Sequence, residues 1–373
     1  MSNDIRYTVI GAGHGGKTMA ADLAGKGYPV TLYNRTAERI SEIALRGEIE
    51  LEYENGISRC CRLAAVTSDV AEALDGADVI MVVLPASGHR FVARACAPHL
   101  RDGQIVVLNP GRTGGALEFR RILARAGCTA DVIVAEAGTF IFASRSTGPA
   151  QARIFRRKNA VPLAALPATR TGHVLEMVCE AYPQFIPAPN VLHTSLDNMG
   201  AIFHPALTLL NAGWIERTKG DFQFYIDGVT RSTAHVLEVL DRERVTIAAS
   251  LGVCARPALR WLNDAYSARG TTLYEAIQAN PGYQGIKGPR NLRHRYIFED
   301  VPFSLVPLAS LGAQFGVDTW AIDSMIRLAC VVHGTNYCAR GRTAEDMGLK
   351  GLRVSEVKRY VQDGEIEPVY AMG

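Results

Sequence analysis

The sequence lacks the features of proteins that act in membranes or on nucleic acids. Its longest apolar run, Val79 to Ala86, is about eight residues, whereas a helix that spans a bilayer needs roughly 20. It has no long block of like charge, and 40 Lys and Arg against 37 Asp and Glu leave a net charge of +3. We therefore expect neither a membrane nor a nucleic acid as a partner.

We also expect no secretion leader, and the cysteines are neither paired nor spaced for a metal. The first predicted strand begins at Arg6, which leaves no room for a basic segment, an apolar segment and a cleavage site. The eight cysteines are scattered, with no C-x-x-C and no histidine at a zinc-binding spacing. Thiols in such a pattern are typical of reduced cytoplasmic proteins. We expect a cytoplasmic protein that has no metal site and binds small molecules.

The first half of the chain has the pattern of an α/β protein. With 48% hydrophobic and 21% charged residues, the composition is that of a globular chain, and 373 residues fit two domains. Short apolar runs alternate with amphipathic stretches as far as Thr147, which is typical of βαβ units and a doubly wound parallel sheet. The predicted strands are Arg6–Ile10, Val30–Tyr33, Val79–Leu84, Ile105–Leu108 and Val132–Ala135. The predicted helices are Gly15–Lys26, Glu38–Arg46, Asp69–Leu74, His89–Ala97 and Ala116–Ala126.

The second half reads as mainly α-helical. Proline recurs between Tyr182 and Pro189, which excludes a continuous helix there, and we place the domain boundary in this segment, giving domains 1–186 and 187–373. The predicted helices of the second domain are Leu192–Asn211, Ser232–Ser250, Ala258–Tyr266, Leu305–Phe315 and Thr319–His333. The basic run Arg156-Arg157-Lys158, which lies before the boundary, is interpreted as a solvated strand or turn rather than a binding patch.

A glycine-rich loop follows the first predicted strand. Gly11-Ala-Gly13-His14-Gly15-Gly16 matches G-x-G-x-x-G between a strand and a helix, the arrangement of a Rossmann-type dinucleotide-binding domain. Gly11 allows the tight turn, Gly13 allows close approach of a pyrophosphate, and Gly16 allows close packing of the helix. The same letters, with Lys17 and Thr18, also match the phosphate loop of nucleotide triphosphatases. That alternative lacks an acidic residue to hold Mg²⁺ at the end of another strand.

The residues after the second strand bear on the choice of coenzyme. An NAD-binding domain usually has an acidic residue here that binds the ribose 2′-hydroxyl, but this chain has Asn34-Arg35-Thr36. Arg35 is suited to a 2′-phosphate, so NADP(H) is favoured and NAD(H) stays possible; the alternative is that Arg35 only faces solvent. Together with the glycine loop, Asn34 to Thr36 and Pro85 form the candidate cofactor-binding set.

The second half contains one polar cluster on an otherwise apolar helix. His204 precedes a proline, and Thr208 and Asn211 lie four and seven residues further, on the same helical face. A histidine has an ordinary pKa near ~6.5 and can act as an acid or a base near neutrality. The adjacent acids Glu299 and Asp300 follow far along the chain. Residue patterns alone do not relate them to His204, and a helical histidine is as a rule a core residue.

Several phrases of the sequence resemble the opine dehydrogenases of the octopine and nopaline dehydrogenase type, most of all the bacterial N-(1-carboxyethyl)-norvaline dehydrogenases. The phrases run from the glycine loop through 108–119 (LNPGRTGGALEF), 190–196 (NVLHTSL), His204-Pro with 209–212 (LLNA), and Arg295-Tyr296 with 298–301 (FEDV), to 305–308 (LVPL). The family condenses an α-keto acid with an amino acid through an imine that is reduced by a nicotinamide coenzyme. The resemblance therefore implies an NAD(P)-dependent oxidoreductase that acts on CH–NH donors, with pyruvate as the expected keto acid.

The resemblance also implies roles for particular residues. It makes His204 the catalytic acid and base and Asp300 its partner, with Arg295 as the ligand of a substrate carboxylate. Asn198 and Thr208, near His204, are further candidate substrate-binding residues. Relatives of the norvaline type carry an acid in place of Asn34, so their preference for NAD does not transfer directly.

Two alternatives and one question of assembly stay open at this stage. Two-domain reductases of the glycerol-3-phosphate dehydrogenase or ketopantoate reductase type rely on a catalytic lysine, for which Lys219 and Lys287 are available. A sensor that binds a dinucleotide without turnover is the alternative of another class. The apolar faces of Thr319–His333 fit either a homodimer interface or the core of the domain itself.

Overall fold

A computed structural model describes residues 4–266 and 269–365, and it divides them into two units. The first unit contains the residues up to Ser195 and the described residues from Lys358 onward, and the second unit is Leu196–Val357. The predicted boundary at 186/187 thus differs from this division by nine residues. The prolines that suggested the boundary lie in and around a short strand of the first unit's sheet, Phe185–Pro187, and the boundary itself stays a prediction.

The five predicted strands are present, and the structure adds others. The strands of the described first unit are β1 (Tyr7–Ile10), β2 (Val30–Tyr33), β3 (Glu48–Glu52), β4 (Ser58–Arg62), β5 (Ala65–Thr67), β6 (Val79–Val82), β7 (Ile105–Leu108), β8 (Ile133–Ala137), β9 (Phe142–Gly148), β10 (Gln151–Arg157), β11 (Val161–Leu166) and β12 (Phe185–Pro187). Eight of them form one sheet in the order β12-β11-β8-β7-β6-β1-β2-β5, and β4-β3-β10-β9 form a second. The large sheet is parallel except where β11 runs antiparallel to β8, which confirms the predicted fold class.

The helices of the first unit lie between these strands. They are α1 (His14–Gly25), α2 (Ser41–Arg46), α3 (Val70–Leu74), α4 (His89–Cys96), α5 (Gly115–Arg125) and α6 (Thr171–Val178). Strands β1, β6 and β7 are buried along their whole length, because a doubly wound sheet is covered on both faces. The core also includes apolar residues of α1 and of the second sheet, such as Met19, Leu23, Leu51 and Ile154.

The basic run before the predicted boundary has a different role from the predicted one. Arg157 ends β10, and its guanidinium binds the carboxylate of Asp22 on α1 through two hydrogen bonds of 2.6 and 3.1 Å. The Asp22 side chain is fully buried. The prediction of a strand or turn is therefore confirmed, whereas Arg157 is wrongly described as solvated, because it joins the second sheet to α1.

The second unit is helical, as predicted. Its helices begin within α7 (Val191–Leu196), where the two units divide, and continue as α8 (Met199–Leu210), α9 (Ala212–Thr218), α10 (Arg231–Ser250), α11 (Ala258–Tyr266), α12 (Leu273–Gln278), α13 (Arg295–Phe298), α14 (Val306–Phe315), α15 (Trp320–His333) and α16 (Tyr337–Arg340). The last helix, α17 (Val354–Asp363), starts in the second unit and ends in the first, because the division falls after Val357. Within the described residues, no helix has the length and apolar character needed to cross a bilayer.

Two predicted helices need correction. The single helix Leu192–Asn211 is two helices, α7 and α8, because Asn198, the residue before α8, adopts an extended conformation. Pro205 lies inside α8, in the middle of the helix that carries His204. The predicted helix Leu305–Phe315 starts one residue later, since a π-helical turn covers Val301–Leu305 and α14 follows it.

Candidate functional site

The glycine loop of the first unit is closely packed at Gly11 and Gly16, where no side chain would fit. Gly11 has φ +112°, and a Cβ there would lie 2.6 Å from the carbonyl oxygen of Val83. A Cβ on Gly16 would lie 1.6 Å from the carbonyl oxygen of Gly11. At Gly13, by contrast, a Cβ would meet nothing within 4 Å. The open space at Gly13, where α1 begins, fits the predicted approach of a phosphate to the backbone.

Two polar side chains of this loop region are bound to the second sheet. The ammonium of Lys17 donates to Ser146 Oγ at 3.1 Å and to the carbonyl oxygens of Gly148 and Pro149 at 3.2 and 2.5 Å. Burial lowers the pKa of Lys17. His14 Nδ1 accepts the backbone N–H of Ser146 at 2.9 Å. Lys17 therefore holds a turn of the protein, which is not the role of a phosphate-loop lysine.

The end of β2 carries the residues predicted to choose the coenzyme. Asn34 Oδ1 accepts the backbone N–H of Ala12 in the glycine loop at 3.2 Å, and its amide group donates to the carbonyl oxygen of Thr36 at 2.9 Å. The second bond needs a donor, so a carboxylate at this position would not form it. Arg35 is exposed, and its guanidinium lies 4.8 Å above the ring of Phe91. Pro85 precedes a short 3₁₀ turn, Ala86–Gly88, after β6.

A buried carboxylate that the sequence analysis missed joins two of the family phrases. Glu136, near the end of β8, is fully buried. One oxygen accepts from the hydroxyls of Thr194 and Ser195 at 2.6 and 2.8 Å, and the other accepts the backbone N–H of Ala116 at 2.8 Å. A Cβ on Gly111 would lie 2.2 Å from that second oxygen. Glu136 thus holds the loop after β7, the start of α5 and α7 together.

The second unit brings together the two residues predicted to be catalytic. His204 Nδ1 lies 2.8 Å from Asp300 Oδ2, although 96 positions separate them in the chain. The Asp300 side chain is fully buried, and that of His204 is 17% exposed. With Nδ1 engaged by the carboxylate, Nε2 is the ring nitrogen available for proton transfer to a ligand. This is the arrangement of an acid–base histidine oriented by an aspartate.

Helix α13 places a second group of side chains beside His204. The ring of Tyr296 stacks on the imidazole, with centroids 4.1 Å apart and planes 17° apart. The ring of His294, which caps α13, packs edge to face with the ring of Tyr296, with centroids 4.3 Å apart. Burial, the charge of Arg295 and the nearby His204 lower the pKa of His294. Arg295 itself is exposed at the first position of α13, and its guanidinium is the cation that acts on His294.

The other two predicted substrate-binding residues are tied to the protein. The Thr208 hydroxyl donates to the backbone carbonyl of His204 at 2.7 Å, and the residue is fully buried. The Asn198 amide donates to Ser304 Oγ at 2.9 Å. Thr208 therefore holds the α8 backbone at His204, and a direct contact of either residue with a substrate stays a prediction.

The lysines required by the alternative reductases lie in other settings. Lys219 is exposed and ends α9 in a left-handed conformation. Lys287 forms an ion pair with Asp221, in which both side chains are more than half exposed. No cluster of three or more metal-ligating side chains occurs among residues 4–266 and 269–365. The acid–base geometry thus belongs to His204 and Asp300.

Comparisons with known proteins agree along nearly the whole chain. The model of the family "NAD/NADP octopine/nopaline dehydrogenase, alpha-helical domain" matches residues 187–333. The model "NAD-dependent glycerol-3-phosphate dehydrogenase N-terminus" matches residues 6–111. The opine dehydrogenase of Arthrobacter sp. (strain 1C) is 40% identical over 95% of this chain and 98% of its own. The octopine dehydrogenase of Pecten maximus is 23% identical over 90% and 92%.

Solved structures share the fold at lower identity. Octopine dehydrogenase with NADH and L-arginine matches with a TM-score of 0.80 at 21% identity, covering 97% of this chain and 99% of that one. Yersinopine dehydrogenase with NADP⁺ matches with a TM-score of 0.75 at 17% identity, with the same coverage. The full-length similarity to the Arthrobacter enzyme, together with the family model over the helical domain, shows that this chain belongs to the opine dehydrogenase family.

Proposed function

We propose that this protein condenses an α-keto acid, with pyruvate as the expected substrate, with the amino group of an L-amino acid and reduces the product to a secondary amine. The keto acid and the amine lose water to form an imine, and the imine then takes up a hydride and a proton to give an N-carboxyalkyl amino acid. A nicotinamide dinucleotide supplies the hydride when it is bound. The observation that carries the proposal is the hydrogen bond between His204 and Asp300.

Three residues of the second unit, His204, Asp300 and Arg295, each have a defined task in this reaction. His204 Nε2 gives a proton to the departing oxygen and receives one from the amine, which is general acid and base catalysis. Asp300 accepts the Nδ1 hydrogen, and this fixes the tautomer and stabilises the protonated ring. The exposed guanidinium of Arg295 suits a substrate carboxylate, because its planar fork can donate two parallel hydrogen bonds. The reverse oxidation uses the same groups.

The coenzyme belongs to the first unit, where the glycine loop would hold its pyrophosphate. Relatives in the family bind NADH or NADP⁺, and we propose NADP(H) as the preferred coenzyme here. Two contacts support this preference. Asn34 is uncharged, so no negative charge at the end of β2 repels a 2′-phosphate. The ring of Phe91 packs against the exposed guanidinium of Arg35, which would form a charge-assisted hydrogen bond with that phosphate.

A coenzyme titration tests this preference. In Arg35→Ala the loss of a charge-assisted bond should raise KM for NADPH about 10- to 150-fold, since such a bond contributes ~1.5–3 kcal/mol. KM for NADH should stay within about two-fold, because NADH carries no 2′-phosphate. The control is Arg39→Ala, in which another exposed arginine, in the following 3₁₀ turn, is removed. Equal effects of Arg35→Ala on both coenzymes would exclude a contact with the 2′-phosphate.

An assay of turnover tests the reaction itself. Purified protein is given NADPH or NADH with pyruvate and an aliphatic, aromatic or basic amino acid, and the secondary amine is identified by mass spectrometry. Coenzyme oxidation that needs both substrates supports the proposal. Oxidation with the keto acid alone would indicate a simple keto-acid reductase, and binding of coenzyme without turnover would indicate a sensor.

The same assay tests the role of His204. His204→Ala should lower kcat at least ~100-fold, the usual effect of losing a general acid and base. His235→Ala, in which an exposed histidine of α10 is removed, should leave kcat unchanged. A His204→Ala enzyme with wild-type kcat would remove this residue from the mechanism.

A homodimer and a cytoplasmic location stay predictions, each with some support. Helix α15 buries Ala321, Ile322 and Ile326 in its own unit, while Trp320 and Val331 are 71% and 80% exposed. Exposed apolar side chains of this size favour a protein contact. Trp320→Glu should therefore shift the sedimentation-equilibrium mass towards that of one chain. The eight cysteines are all free thiols, which fits a reducing compartment.

A further inference from the structure

The imidazole of His204 is held by a ring as well as by a carboxylate. Tyr296 stacks on it at a centroid distance of 4.1 Å and an interplanar angle of 17°. Phe224 in turn stacks on Tyr296, at 5.5 Å and 25°, and is fully buried. His204, Tyr296 and Phe224 therefore form three layers, and the innermost layer belongs to the core of the unit.

The aromatic stack fixes the plane of the His204 ring, which the hydrogen bond to Asp300 alone does not fix. One hydrogen bond at Nδ1 fixes the distance of the ring from the carboxylate, but the ring can still rotate about that bond. A parallel aromatic surface fixes the plane of the ring and therefore the direction of Nε2. When His204 takes up a proton, the face of Tyr296 also attracts the resulting cation. The backbone beneath His204 is held separately, by the hydroxyl of Thr208.

We infer that Tyr296 is a positioning residue of the proposed reaction, which orients the His204 ring and stabilises its protonated form through its aromatic face. The inference rests on the proposed function, since it assigns Tyr296 a role through His204. The aromatic ring of Tyr296, and not its hydroxyl, has this role, so a phenylalanine at this position should perform it equally well. Asp300 and Arg295 are the charged groups near these rings, and neither is changed when Tyr296 is substituted.

Three variants test the inference in the turnover assay. Tyr296→Leu removes the aromatic face, and kcat should fall roughly 2- to 30-fold, the range that corresponds to a cation–π contact. KM for the coenzyme should not change. Tyr296→Phe should keep kcat within about two-fold of the wild type. The control is Tyr28→Leu, which breaks an edge-to-face aromatic pair of the first unit, Tyr7 and Tyr28, with centroids 5.2 Å apart; it leaves every layer of the stack in place and should keep the wild-type kcat.

The outcomes separate this inference from the proposed function. If the wild type makes the secondary amine and His204→Ala does not, the function holds, and wild-type kcat in folded Tyr296→Leu would overturn the role of Tyr296 alone. Equal losses in Tyr296→Phe and Tyr296→Leu would also overturn it, because they would point to the hydroxyl. If His204→Ala keeps full activity, the proposed function fails first.

A measurement on the unchanged protein covers the case in which Tyr296→Leu does not fold. With ¹³Cε1-labelled histidine, the His204 signal is assigned by its loss in His204→Ala. A ring stacked at 4.1 Å should move the Cε1 proton upfield from that of an exposed histidine such as His235. A His204 signal at the position of an exposed histidine would overturn the inference.

Discussion

Replacing Glu136 by glutamine tests whether the buried carboxylate holds the two family phrases of the first unit together. Glutamine has the same shape, and its carbonyl oxygen can still accept from Thr194 and Ser195. With its amide group in place of the oxygen that accepts the Ala116 N–H at 2.8 Å, two donors would face each other. With the amide turned over, its carbonyl oxygen keeps the Ala116 N–H, but Thr194 and Ser195 can no longer donate to this side chain, so a hydrogen bond to a charged oxygen is lost in either orientation.

The size of the effect follows from the bond that is lost. A hydrogen bond to a charged group contributes ~1.5–3 kcal/mol, and a buried donor without an acceptor costs a similar amount. Removing a buried charge returns part of its desolvation cost, so we expect a net loss of about 2 kcal/mol. For a unit of roughly 200 residues, this corresponds to a fall in Tm of about 4–8 °C.

Thermal unfolding followed by circular dichroism measures this change. Glu42→Gln is the control, because Glu42 forms an exposed ion pair with Arg46 on one helix, and such pairs contribute only ~0.3–0.5 kcal/mol. Its Tm should stay within about 2 °C of the wild type. If Glu136→Gln unfolds at the same temperature as Glu42→Gln, the carboxylate does not stabilise the loop after β7, and the reasoning from its hydrogen bonds is refuted.

Two further predictions concern backbone strain and alkaline pH. Lys219 is an exposed residue with a positive φ of 53°, so Lys219→Gly should raise the free energy of unfolding by up to ~1 kcal/mol; a lower free energy of unfolding in urea would contradict this. Burial raises the pKa of the Cys96 thiol to about 12, so the folded state keeps the proton that the unfolded state releases near pH 9. This one group should therefore lower the free energy of unfolding by ~1.4 kcal/mol per pH unit as the pH rises from about 9 to 12. Cys96→Ala should make the measured slope shallower by that amount, whereas the slope from tyrosines whose pKa burial also raises, such as Tyr7 and Tyr53, stays.

The sequence predicted those parts of the fold in which local pattern and burial agree. Strands β1, β6 and β7 are continuous apolar runs because both faces of the sheet are covered, and the glycine loop follows β1 as its spacing indicates. Strands β3 and β4 were missed because they contain charged or polar residues at most positions, and only contact with α1 and β10 makes them a sheet. The break between α7 and α8 was missed because Asp197 and Asn198 do not interrupt the apolar periodicity strongly enough.

The candidate site was predictable to different degrees in its two halves. The glycine loop has a local motif, so spacing alone identified it. The contact of His204 with Asp300 bridges 96 positions, and only resemblance to a family pointed to it before the structure was available. Glu136 had no such signal, since an acidic residue in an apolar strand looks like an ordinary strand end. Its importance depends on donors from two other segments, the start of α5 and α7, which no local pattern relates to it.

At the start of helix α1 the same residues match two motifs, a dinucleotide-binding loop and a phosphate loop. The packing of the helix, and not the spacing of the residues, decides between them. A phosphate-loop lysine must reach the ligand, but the Lys17 ammonium is surrounded by acceptors of the β9–β10 turn. Further along the helix, Asp22 binds Arg157 of β10. The polar side of α1 is thus committed to the second sheet, whose presence the motif does not encode. What α1 can offer an anion is the backbone at Gly13, and that is the part of the helix on which a dinucleotide site depends.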